Sequence, residues 1–288
     1  MTKYSKHIIL FLAISALFVG CSGNKKTNIT QDRNVTIKGS DTMLHLATNW
    51  SEFLMDSNPN IDISVTGGGS GTGIAALFNG TTDICIASRK IKSKEIDKAL
   101  EMNLAINEFV VARDGIAIVV NPENPIDNLS IEQIGKIYTG AYTNWSQLGG
   151  PDEEIIVLSR ESSSGTYVFF QKRVMNKKDY TADALLMPST SAIIQSVNQD
   201  KWAIGYVGLG YALSATDRIK ILSVYEKDGE DPVLPSVKSV QSGTYVIARP
   251  LHMYTNGKPS GLVKEIIDFC LSEKGQEIVY ETGYVPIK

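Results

Sequence analysis

Residues 61–80 read IDISVTGGGSGTGIAALFNG. Ile61, Ile63 and Val65 alternate with polar residues, the period of a half-buried strand. Four glycines, Gly67, Gly68, Gly69 and Gly71, then flank Ser70, and Ile74 to Phe78 predict a short helix closed by Gly80. Strand, slim turn and helix in succession form a βα unit, and such units build sheets covered by helices. The turn lacks the lysine of a nucleotide-binding P-loop, and its glycines do not fall at GxGxxG spacing.

The same rhythm extends in both directions. On the N-terminal side, VTIKG (35–39) leads into a helical stretch from Asp41 to Asp56. On the C-terminal side come strand TDICIAS (82–88) and amphipathic helix SKEIDKALEMN (93–103). A long β-rich stretch, EFVVARDGIAIVVNPENP (108–125), then interrupts. The alternation restarts with helix SIEQIGKIYTG, strand EEIIVLSR, a helix from Thr166 to Val174, and strands AIGYVG and IKILSV. A second extended stretch, GTYVIARPLHMYT (243–255), precedes the terminal helices. The expected architecture is α/β with parallel sheet. It has two lobes joined by two crossing strands, with lobe 1 at 35–112 and 244–288 and lobe 2 at 113–243.

The first residues are of another kind. Lys3 and Lys6 precede an apolar run from Ile8 to Gly20, which is too short to span a bilayer core of about 30 Å. Residues 1–20 are therefore expected to be a signal peptide. Gly20-Cys21 resembles a bacterial lipobox, which makes Cys21 the lipidated first residue, with 21–34 as a polar tether. The alternative is a plain cleaved signal with an incidental cysteine. The formal charge of −3 falls to −5 once Lys3 and Lys6 leave with the signal. No basic stripe interleaves with aromatics, so nucleic acid is not an expected partner. Cys85 and Cys270 lie in apolar surroundings and are expected as buried free thiols. His45 and His252 have no neighbours at ligand spacing, so no metal is expected.

Three strand-to-helix junctions share one chemistry: SDTML at 40–44, SGTGI at 70–74 and SGTYV at 164–168. Any one of them is accounted for as a helix cap, since Ser, Thr and Asp satisfy free backbone N–H groups. Together they form a cradle for an anion, because helix starts carry unbonded N–H groups and partial positive charge. Arg160 adds a planar charged fork and Arg89 can add a second. A serine nucleophile at Ser70 or Ser164 would need a base, and neither serine lies in GxSxG.

GSDT (39–42), GGGSGTG (67–73), IASR (86–89), SRESSSGT (159–166) and YTGAYTNWSQLGG (138–150) together resemble the phosphate-binding component of bacterial phosphate ABC importers, among the type II periplasmic binding proteins. The resemblance runs from about Val35 to the C-terminus. It implies an inter-lobe cleft that captures inorganic phosphate without chemistry or cofactor, for delivery by a lipid-anchored monomer to an ABC permease at the cell envelope. Carried over, Thr42, the Met43 backbone and Ser70 bind from one side, and Arg160, Ser164, Gly165 and Thr166 from the other. Ser40 is a nearby hydroxyl, more in keeping with a cap. Arg89 stands where the best-known branch has an aspartate that accepts the phosphate proton. Arg89 is then expected to bind the anion and Asp41 to accept the proton, with Glu161 as the other candidate acceptor. The rival readings are a cleft for sulfate, molybdate or another tetrahedral oxyanion, an exported serine hydrolase, and a sensor or adhesion protein on the same scaffold.

Overall fold

The computed structural model describes residues 33–227 and 229–287. The expected signal peptide, Cys21 and nearly all of the tether lie outside them. The first half runs β1 (Arg33–Gly39), α1 (Leu44–Ser57), β2 (Ile61–Thr66), α2 (Ser70–Phe78), β3 (Ile84–Ala87), α3 (Ser93–Glu101) and β4 (Ile106–Val120). It continues through β5 (Asn128–Ser130), α4 (Ile131–Tyr138), β6 (Ile156–Arg160), α5 (Gly165–Arg173), β7 (Leu185–Met187), α6 (Thr190–Gln199), β8 (Ala203–Gly208) and α7 (Leu209–Leu213). The last part comprises β9 (Lys220–Ile221), β10 (Ser223–Tyr225), α8 (Val237–Gln241), β11 (Ala248–Asn256), α9 (Gly261–Cys270) and α10 (Glu273–Glu281).

One long curled sheet has the order β2-β1-β3-β11-β4-β8-β6-β7, with β9 also on β4. β2, β1 and β3 are mutually parallel, as are β8, β6 and β7. The expectation of parallel sheet therefore holds at both ends. It fails in the middle, where β11 pairs antiparallel with β3 and β4, and β4 with β8. The cause is topological: a chain that leaves one half along β4 must run the other way to come back along β11.

These two strands join two lobes with separate cores. Val111 and Ala112 of β4 pack with Ile37, Ile86 and Leu251, whereas Ile116, Ile118 and Val120 pack with Ile134, Phe170 and Tyr206. Each buried aliphatic or aromatic side chain contributes about 1.5–3 kcal/mol, so each core stabilises its own lobe. The seven residues from Asp114 to Val120 are all buried, as expected of a strand covered on both faces. After β11 the chain closes the first core. Ile266, Ile267 and Val279 bury against α1, and Trp50 Nε1 donates to the Gly275 carbonyl at 2.8 Å. Among the described residues, no helix is long and apolar enough to cross a membrane.

Candidate anion-binding site

At the end of β1, a 3-10 turn over Asp41–Met43 precedes α1, and Ser40, Asp41, Thr42 and Met43 are buried. The turn is pinned from several sides. Ser40 N–H donates to Ile86 O (2.8 Å), Tyr211 Oη–H to Asp41 O (3.1 Å) and Tyr284 Oη–H to Thr42 O. Met43 N–H, expected to serve a ligand, donates to Ser40 O at 3.0 Å. At the start of α2, the Ser70 hydroxyl accepts from Ser88 N–H at 3.0 Å and lies 3.3 Å from the Ser88 hydroxyl. That contact joins the end of β3 to the second helix start.

The third start, at α5, meets the first two. Ser164 caps the helix, its hydroxyl accepting from Thr166 N–H (3.2 Å) and Tyr167 N–H (3.4 Å). Gly71 N–H donates to Ser163 O at 2.9 Å, and the Thr42 and Thr166 hydroxyls are 2.9 Å apart. Two glycines make this approach possible. Gly69 has φ +104°, and a Cβ there would stand 2.9 Å from Ser163 O. A Cβ on Gly165 would collide with the Ser70 hydroxyl and come within 2.7 Å of that of Ser88. The structure thus brings Thr42, Ser70, Gly165 and Thr166 to one place.

Three arginines border it. Arg160 donates from Nε to Met187 O (3.2 Å), from Nη2 to Pro188 O (3.1 Å), and from Nη1 to Asp41 Oδ2 (3.2 Å) and Thr190 Oγ1 (3.1 Å). Asp41 Oδ2 also accepts from Thr190 N–H at 2.7 Å. Asp41 is thus the carboxylate that holds Arg160, while Glu161, adjacent in sequence, is exposed. Arg89 forms a bidentate pair with Glu95, both bonds 2.7 Å, and also donates to Lys90 O. Burial alone would raise the Glu95 carboxyl, but hydrogen bonds from Arg89 and Lys92 N–H and the guanidinium charge hold it below its ordinary value.

The third arginine was not legible in the sequence. Arg249 Nη2 donates to Asp114 Oδ2 (3.1 Å), Thr166 Oγ1 (3.0 Å) and, more weakly, Thr42 Oγ1 (3.4 Å). Its Nε and Nη1 are buried without a hydrogen-bond partner, and its Cζ lies 5.4 Å from the centre of the Phe169 ring. Burial raises the Asp114 carboxyl and lowers the Arg249 guanidinium, each opposed by the charge of the other. Thr190, at the start of α6, was missed too, although Ser189 as cap before Ile193, Ile194 and Val197 was a readable helix signal. The two described histidines have partners other than Ser70 and Ser164. His45 stacks on Tyr211 and His252 Nδ1 sits 2.8 Å from Glu108.

Two lobes joined by two strands, with helix starts from both meeting between them, define the class of two-lobed solute-binding proteins. A family model described as the PBP superfamily domain matches residues 24–274. The phosphate-binding protein PstS of Staphylococcus aureus (strain USA300) is 32% identical over 282 residues, covering 95% of this chain and 85% of the relative. A crystal structure of a phosphate ABC transporter substrate-binding protein from Clostridium perfringens with bound phosphate superimposes with a TM-score of 0.80 at 31% identity. It covers 88% of this chain and 100% of that one. An ABC-type phosphate transport receptor from Vibrio cholerae gives 0.68 at 32% identity, over 87% and 99% of the two chains. The chain belongs to the PBP superfamily and, within it, to the PstS family.

Proposed function

We propose that the protein captures inorganic phosphate between its lobes and delivers it to the permease of an ABC importer. The observation that carries this reading is the meeting of Thr42, Ser70, Gly165 and Thr166 from three helix starts on both sides of the cleft. Neutral donors at helix starts, beside arginines already balanced by carboxylates, suit a small oxyanion. Ser40, Asp41, Thr42, Ser70, Arg89, Arg160, Ser164, Gly165 and Thr166 compose the site, and the Met43 N–H, bonded to Ser40 O, braces its first turn. Hydroxyls of Thr42, Ser70 and Thr166 donate to the ligand, Arg160 supplies charge beside it, and Arg89 supplies charge behind Ser88 with Glu95 as counter-ion. Ser40 and Ser164 shape the two turns.

Phosphate differs from sulfate near neutral pH in carrying a proton, and a site of donors alone leaves that proton unpaired at about 1–3 kcal/mol. Asp41 is the acceptor in this reading. Both of its described side-chain bonds fall on Oδ2, which supports Oδ1 as the oxygen that would accept the proton. Binding without catalysis is favoured because the described partners of the Ser70 and Ser164 hydroxyls are N–H groups and the Ser88 hydroxyl rather than a base, while His45 stacks on Tyr211 and His252 faces Glu108. The lobes are 35–112 with 244–288, and 113–243; Tyr245 and Ile247 pack on the second core before the return crossing. Residues 1–20 direct export, and Cys21 carries the lipid that anchors a monomer to the cell envelope through the tether at 21–34.

The test is equilibrium dialysis of radiolabelled phosphate against excess sulfate, on the wild type and Asp41→Asn. Sulfate should displace phosphate only from the variant. Equal resistance to sulfate in both proteins would remove Asp41 from the proton-accepting role.

A further inference from the structure

We infer that Arg249 and Asp114, one on each crossing strand, are positioning residues that hold the Thr42–Thr166 hydroxyl pair at the anion site and couple it to lobe closure. This inference rests on the phosphate reading above. Asp114 and Arg249 are register partners on β4 and β11. The pair is almost wholly removed from water, at 0% and 2% exposure, where an ion pair costs desolvation energy and adds little net stability. A hydrophobic pair would fill the same place, so the charges call for a role beyond packing.

Hydrogen-bond direction supplies one. A guanidinium has donors only, and Nη2 has two hydrogens: one faces Asp114 Oδ2, and the other is shared by the Thr166 and Thr42 oxygens, with the longer contact to Thr42. Each hydroxyl has one hydrogen. The two hydroxyls are also 2.9 Å apart, so one donates to the other; the remaining hydrogen, on an oxygen whose lone pair is committed to Arg249, is free to point away from the strand and into the cleft. The charge on Arg249 also strengthens the bond that hydrogen can make. Asp114 fixes the fork through Oδ2, and its Oδ1 is itself fixed by Leu209 N–H at 3.0 Å. Thr42 begins the first helix of one lobe and Thr166 lies in the first turn of a helix of the other. One nitrogen on a crossing strand therefore bonds both only when the lobes are together. That links the geometry of the donors to the closed state, which a ligand favours only by differential affinity.

A double-mutant cycle on phosphate affinity tests this, using titration calorimetry with inorganic phosphate on the full-length wild type, Arg249→Gln, Thr166→Val and the double variant. Arg249→Gln should weaken binding by about tenfold or more, the scale of one charge-assisted hydrogen bond. In the Thr166→Val background the same change should cost less than about threefold, because the shorter of the two hydroxyl contacts it acts through is gone and only the weaker one to Thr42 remains. An equal loss in both backgrounds would mean that Arg249 supports the fold only, and no loss in either would also overturn the inference. If Asp114 left unpaired prevents Arg249→Gln from folding, Asp114→Asn combined with Arg249→Gln removes both charges and the same cycle is run from it. Failure of the wild type to bind phosphate would instead bring down the functional reading on which the inference stands.

Discussion

Gly165 shows how much a single missing atom decides. Its place in the first turn of α5 is one where a methyl group would strike the Ser70 hydroxyl and crowd that of Ser88. Those oxygens belong to the opposite lobe, so the conflict can be relieved by opening the cleft and leaving each core intact. Gly165→Ala should therefore weaken phosphate binding by about tenfold or more, as a displacement of order 1 Å at a preorganised site does. Its thermal midpoint should stay within a few degrees of wild type, a combination read by calorimetric titration beside a melting curve. Glu95 allows a pH argument at the same scale. Its folded carboxyl is held below the ordinary value of 4.5, so its contribution to stability is present above 4.5 and is lost as pH falls through the lower folded value. Melting curves of wild type and Glu95→Gln should differ at neutral pH and converge in acid. A difference that persists or grows in acid would contradict the ion-pair account.

At the scale of elements, the helix starts were readable because their chemistry is local. Ser, Gly and Thr occur within a few residues of each other at 39–42, 67–73 and 159–166, and Arg160 lies in the last of these runs. The extended stretches near 108–120 and 243–254 likewise showed where the chain crosses, and β4 and β11 occupy them. Arg249 and Asp114 are 135 positions apart and meet only through the register of those two strands, for which no spacing rule exists. Nor could sequence tell that Arg89 is claimed by Glu95, six residues on across a turn into α3. Composition did speak for the thiols. Burial pushes Cys85 up to about 12 and raises Cys270 as well, and the thiolate is the reactive form. Iodoacetamide at pH 8 should leave both unmodified in the folded protein and label both after denaturation, as read by peptide mass mapping. Labelling of Cys85 in the folded state would show that α2 separates from β1 and β3.

The molecule as a whole is two lobes whose polar contact surfaces find partners in one another. Asp41 with Arg160 and Thr190, Thr42 with Thr166, and Gly71 with Ser163 are bonds across the cleft rather than within a core. Such bonds are individually weak and easily exchanged for water, so closure is left to the ligand that both sides contact. The net charge of −3 then matters less than the local arrangement, because the groups proposed to meet the ligand are hydroxyls and arginines balanced by carboxylates. Selectivity for phosphate is what this cleft is proposed to provide. Titration calorimetry of the ligand-stripped protein with phosphate, in the presence and absence of excess sulfate, measures it directly. One phosphate per chain, with affinity unchanged by sulfate, is the predicted result; competition by sulfate on equal terms, or no binding of phosphate at all, would contradict it.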